Sequence, residues 1–122
     1  MYYDKLAIHD KMLESLIIYL KKEGFHYIKI DHLPGNYERP EKINGRIPDA
    51  TATSKNNIAC VFEVETAESL LLEETVKQLK DFSTHCEQFH KALVIVVPIG
   101  YKRNAESVCH KNRIKYNVIW EL

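Results

Sequence analysis

The sequence predicts an α/β domain, a mixed central sheet flanked by helices, in the order helix, strand, strand, strand, helix, strand, helix, strand. Three observations predict it. Apolar residues recur at helical spacing before residue 24 and again after residue 68. Short segments bounded by turn residues fill the stretch from 25 to 65, and Ala92–Val97 is a continuous apolar run. A meander of strands that leads through a helix into such a run describes a sheet that starts antiparallel and continues parallel after a crossover.

The elements follow in order. Residues 5–23 read as an amphipathic helix, with Leu13, Leu16, Ile17 and Leu20 on one face and Gly24 as the stop. Phe25 to Asp31 alternates like a strand, and residues 33–40 are loop by composition. Gly45 to Thr53 and Ile58 to Glu65 read as an antiparallel pair joined by a turn at 54–57. A helix over residues 68–87 would bury Leu72, Val76, Leu79 and Cys86, with Phe82 at the edge of the stripe. Beyond the Ala92–Val97 run, bounded by Pro98 and Gly100, a short helix from Asn104 to Asn112 takes Asn104 as its N-cap. Lys115 to Trp120 forms the last strand.

With 122 residues, 45% hydrophobic and 28% charged, the chain is expected to form one domain with a real core. No apolar run approaches the roughly 20 residues that cross a bilayer, and the first residues lack a signal-peptide plan. A cytoplasmic location with no membrane association is the expectation. Cys60, Cys86 and Cys109 have no CxxC spacing and are odd in number, so they read as buried thiols rather than disulfides. The formal charge is zero, which speaks against a strongly DNA-clinging domain. The charge is uneven, however. Lys91, Lys102, Arg103, Lys111, Arg113 and Lys115 face one acid, Glu106, between residues 91 and 116.

The chemistry concentrates in Arg46-Ile47-Pro48-Asp49-Ala50 and in Phe62-Glu63-Val64-Glu65. Side chains alternate along a strand, so Glu63 and Glu65 share a face. Pairing of the two strands would bring Asp49 near Glu63. Three carboxylates at strand ends form a hard-oxygen site suited to Mg²⁺ or Mn²⁺. Both glutamates ionised side by side would repel unless a cation or a basic group resolves the charge. The blander reading has both acids open to solvent. His85, Cys86 and His90 lack a second pair of zinc ligands, and the other histidines show no ligand spacing.

In Pro48-Asp49, in Glu63-Val64-Glu65 and in its element order, the chain resembles the PD-(D/E)XK nuclease-like superfamily, whose fold is restriction-endonuclease-like. The resemblance implies metal-dependent phosphodiester hydrolysis of nucleic acid, DNA first, with Asp49 and Glu63 as metal ligands. The third motif position, usually lysine, is Glu65 here. Glu65 would serve as a further ligand, or the lysine has migrated to Lys80 on the next helix, or catalysis has been lost while the fold remains. Lys55, in the turn, should lie at the wrong end of the strand. Glu14 on the first helix and Gln78, one turn before Phe82, match accessory positions. Lys102, Arg103, Lys111 and Arg113 would hold the phosphate backbone. The alternative function is a non-catalytic module of the same fold that binds nucleic acid or a protein, and a homodimer or larger assembly suits so small a domain.

Overall fold

The computed structural model describes residues 2–31 and 37–122. Helix α1 (Tyr2–Lys22) buries Met12, Leu13, Leu16, Ile17 and Leu20 and ends on Lys21 and Lys22, whose charge suits a helix C-terminus. Gly24, at φ +81°, takes the left-handed conformation that lets Phe25 N–H reach Leu20 C=O at 2.9 Å and close the helix. Strands β1 (His26–Ile30), β2 (Ala50–Thr53) and β3 (Ala59–Val64) form the antiparallel half of a five-stranded sheet. Helix α2 (Glu73–Phe89), preceded by a 3-10 turn at Ser69–Leu71, carries the chain to β4 (Ala92–Val97). Helix α3 (Lys102–Lys111) carries it to β5 (Val118–Glu121), and β3, β4 and β5 are parallel neighbours.

The sheet separates two cores. On one face α1 packs against Ala50, Ala52, Phe62, Val64, Val94 and Val96. On the other, Leu79, Phe82 and Cys86 of α2 and Ala105 and Cys109 of α3 pack against Val61, Leu93, Ile95, Val97 and Ile119. Consecutive residues of β4 serve opposite cores, which is why its sequence is apolar throughout. The same sandwiching buries β3, including Glu63, and Glu65 just beyond it is buried too. All three cysteines are buried thiols. No helix of the described residues is long and apolar enough to cross a membrane.

Several expected boundaries shift. The second strand begins at Ala50 rather than Gly45. Asn44 and Gly45 both have positive φ, and Ile43 and Arg46 bond across them as a tight turn. Pro48, without an N–H, keeps the ladder from starting earlier. In β1 the register slips between His26 and Lys29, and Tyr27 sits at φ +53°, so strict alternation fails. Leu72 precedes α2 and is 54% exposed instead of buried, whereas Phe82 belongs to the centre of the stripe. Asn104 does not cap α3, which starts at Lys102. There the Glu121 carboxylate accepts from Gly100 N–H at 2.6 Å. Residues 33–36 of the expected loop lie outside the described residues.

Phe62 holds one core together, with ring contacts to Phe25 at 5.9 Å and Trp120 at 5.6 Å and no solvent exposure. Phe62→Ala should therefore cost about 3–5 kcal/mol, read as a fall in the urea midpoint at unchanged slope.

Candidate active site

The C-terminal end of β3 and the residues before β2 meet in a reciprocal clasp. Asp49 N–H donates to Glu63 Oε1 at 2.9 Å, and Val64 N–H donates to Asp49 Oδ2 at 2.8 Å. Each carboxylate thus satisfies an amide of the opposite strand just beyond the Ala50–Phe62 pair, where the backbone ladder stops. Asp49 C=O also accepts from Asp31 N–H, so β1 anchors the same point. Glu65 is fixed by its own N–H, which donates to Val96 C=O at 2.8 Å.

These three acids line one cavity of about 650 Å³ together with His9, Asp10, Ser69, Thr75 and Gln78. The strand spacing thus brings all three residues to one cavity. Glu63 and Glu65 are buried, not open to solvent. Ser69 Oγ donates to Glu65 Oε1 at 2.8 Å, while Thr66 and Ser69 exchange side-chain and backbone bonds that fix that hydroxyl. Glu65 Oε2 is buried with no hydrogen-bond partner. A buried carboxylate oxygen in that position is costly unless something positive or protonated meets it.

His9 is the residue that sequence reasoning passed over. Its Nε2 lies 3.3 Å from Asp49 Oδ2. The signal was present in the helix: His9 stands one turn before Leu13, on the stripe that continues through Leu16, Ile17 and Leu20. A polar residue on a buried stripe at the end of a core faces whatever the core leaves open. Asp10 reaches the cavity from the same turn. Glu14 is exposed and does not line it.

Gln78 does line the cavity, but Phe82 is committed to the core. Lys80 corrects the idea of a migrated lysine. Two residues along a helix turn about 200°, so with Gln78 facing the acids Lys80 faces away. It is exposed and lines a separate cleft with Arg113 and Lys115. Lys55 lies in the 55–57 turn beside Gly24, at the start of β3 and far from its acidic end. Lys102, Arg103, Lys111 and Arg113 are exposed on and after α3, and none of them lines the acidic cavity. Arg46 instead braces the motif from outside. Its guanidinium bonds Asp81 at 2.7 Å and Glu74 at 2.6 Å, tying the segment before Asp49 to α2.

The electrostatics follow from burial. Desolvation pushes Glu63 well above the ordinary carboxylate range, and the charges of Asp49 and Glu65 push the same way against the stabilising Asp49 amide. Desolvation raises Glu65 to about 7, helped by Asp49 and opposed by Ser69, His9 and Thr75. The hydrogen bond to Asp49 raises His9 above its usual value in spite of burial. Among the described residues no group of three or more His, Cys, Asp or Glu side chains is arranged to hold a metal ion as it stands. The clasp explains this, because Asp49 and Glu63 each turn one oxygen onto a backbone amide.

No family model and no curated protein matches the chain. Among solved structures it is similar to a repair endonuclease from Pyrococcus abyssi, at 17% identity and a TM-score of 0.53. The match covers 93% of this chain and 46% of that one. The fold is nuclease-like. This chain spans about half the length of that neighbour (46%), and the likeness is one of backbone architecture.

The raised values have a definite sign. A carboxyl whose folded value lies above its unfolded one stabilises the fold while protonated, and that contribution is lost as pH rises through the folded value. Glu63, Glu65 and His9 all act in this direction. In EDTA the melting temperature should fall between pH 6 and pH 8. Glu65→Gln should flatten that slope and stabilise the protein at pH 8 by on the order of 1–3 kcal/mol. An unchanged slope in the variant would show that Glu65 is not the titrating group.

Proposed function

We propose that this chain is a divalent-metal-dependent nuclease domain of the PD-(D/E)XK type, hydrolysing phosphodiester bonds of DNA. The observation that carries the reading is the Glu65 oxygen, buried and unpartnered in a cavity shared with Asp49 and Glu63. The nuclease-like fold supports it. The donor set also fits Mg²⁺ or Mn²⁺, since three carboxylates keep oxygens that the clasp does not use, and hard cations take such oxygens.

The roles divide as follows. Asp49, Glu63 and Glu65 would hold the cation through the oxygens facing the cavity. The ion, when bound, supplies positive charge at the scissile phosphate and lowers the pKa of the attacking water. Water attacks phosphorus, the bond to the leaving oxygen breaks, and that oxygen gains a proton. His9 keeps Asp49 oriented through its Nε2 contact and places a protonatable group at the mouth of the site. The Arg46 brace and the Ser69 hydroxyl hold the motif segment and Glu65 in place, so little reorganisation is needed when a substrate arrives.

A second reading keeps the same fold without the reaction. No lysine or arginine of the described residues lines the cavity, and the formal charge is zero. Those facts favour a binding module with a retired site.

Two measurements separate them. Mn²⁺ or Mg²⁺ should raise the melting temperature of the wild type, and Asp49→Asn, which keeps an acceptor for the Val64 amide, should abolish the increase. Metal-stimulated nicking of plasmid DNA should drop about a hundredfold or more in Glu63→Gln. Metal binding without any nicking would establish the binding module, and indifference to both ions would remove the nuclease.

A further inference from the structure

The sheet face that carries the acids also carries a second, basic pocket. Register places Lys29 opposite Thr51 and Thr51 opposite Val61, one row of three strands. Asp49 and Glu63 stand two residues further along the same face, a step of about 7 Å. Lys29, Thr51, Thr53 and Val61 line this pocket from the sheet side. Lys42 and Ile43 line it from one side, and His85 and Lys91, from the end of α2, line it from the other. Its volume is about 260 Å³, smaller than the roughly 300–1,000 Å³ of sites that enclose a whole small molecule.

We propose that this pocket binds a phosphate of the nucleic-acid backbone through Lys29, Lys42 and Lys91, a site separate from the acidic cavity. The class of ligand rests on the nuclease reading, and the site rests on the charge arrangement. Three lysines line one small space with a single acid, Glu41. Lys29 and Lys42 form no ion pair among the described residues. Lys91 Nζ meets the imidazole of His85 at 3.1 Å instead of a carboxylate. Arg39, Arg46 and Lys115 by contrast pair with Asp31, with Glu74 and Asp81, and with Glu87. Lys29 and Lys91 are half-buried, so a charge there is less screened than on open surface.

Thr51 and Thr53 line the same pocket, and a threonine hydroxyl is a further donor to an anion. The two pockets share no lining residue. Between them runs the 43–46 turn, held to α2 by Arg46. A strand with one phosphate at the lysines and another at the acids passes over this turn. The lysines then supply affinity without base specificity, as backbone contacts do.

The test is fluorescence anisotropy of a labelled oligothymidylate in EDTA across a salt series. Lys29→Gln/Lys42→Gln/Lys91→Gln should weaken binding and lower the slope of log affinity against log salt by about 0.7, the loss of one phosphate contact on a single strand. Lys42→Gln alone, at an exposed position, should give about a third of that change and keeps the test valid if the triple variant folds poorly. Lys22→Gln, exposed at the end of α1, should leave the slope unchanged. Variants that bind with the wild-type affinity and slope overturn the pocket while leaving the nuclease reading intact. A wild type that binds no oligonucleotide at low salt overturns both.

Discussion

Two carboxylates close the end of the β2–β3 ladder by accepting each other's strand amides, and the site depends on that closure. Without side-chain acceptors the Asp49 and Val64 amides would be left where backbone pairing stops. With them, two acids are held side by side under a packed sheet. The unfavourable proximity of Asp49, Glu63 and Glu65 is therefore built into the fold, with core packing on both faces maintaining it.

Burial then sets the chemistry. Glu63 and Glu65 are desolvated because β3 is covered by α1 on one side and by α2 on the other, and desolvation is the largest cause of both raised values. Such a cluster has three ways to relieve itself: proton uptake, a basic side chain or a bound cation. His9 supplies part of the second, and one Glu65 oxygen remains unmet. Under the proposed function, a lysine at the third motif position would have supplied more of it. Glu65 in that place moves the balance toward the third option.

The distribution of positive charge follows the same division. Among the described residues no lysine or arginine lines the acidic cavity, while Lys29, Lys42 and Lys91 gather around a single acid, Glu41, in the neighbouring pocket. Arg46 stands between, neutralised by Glu74 and Asp81. The molecule as a whole is neutral, yet one face presents a negative pocket and a positive pocket side by side. Net charge alone would hide this polarity, on which the proposed phosphate site rests.

The letters by themselves determined the order of elements, the two-sided burial of Ala92–Val97 and the shared face of Glu63 and Glu65, because periodicity is a local property of the backbone. They also determined that Asp49 would meet Glu63, since a short hairpin leaves strands little choice of partner. Tertiary packing alone decided the rest. Lys80 turns away because α2 docks by Leu79 and Phe82, a rotation that helical spacing leaves free until a partner surface is present. His9 enters the site because α1 crosses the sheet at Asp49, and Glu121 takes over the start of α3 from a strand distant in sequence. Contacts between elements depend on how their faces are set against one another, and no single segment encodes that angle.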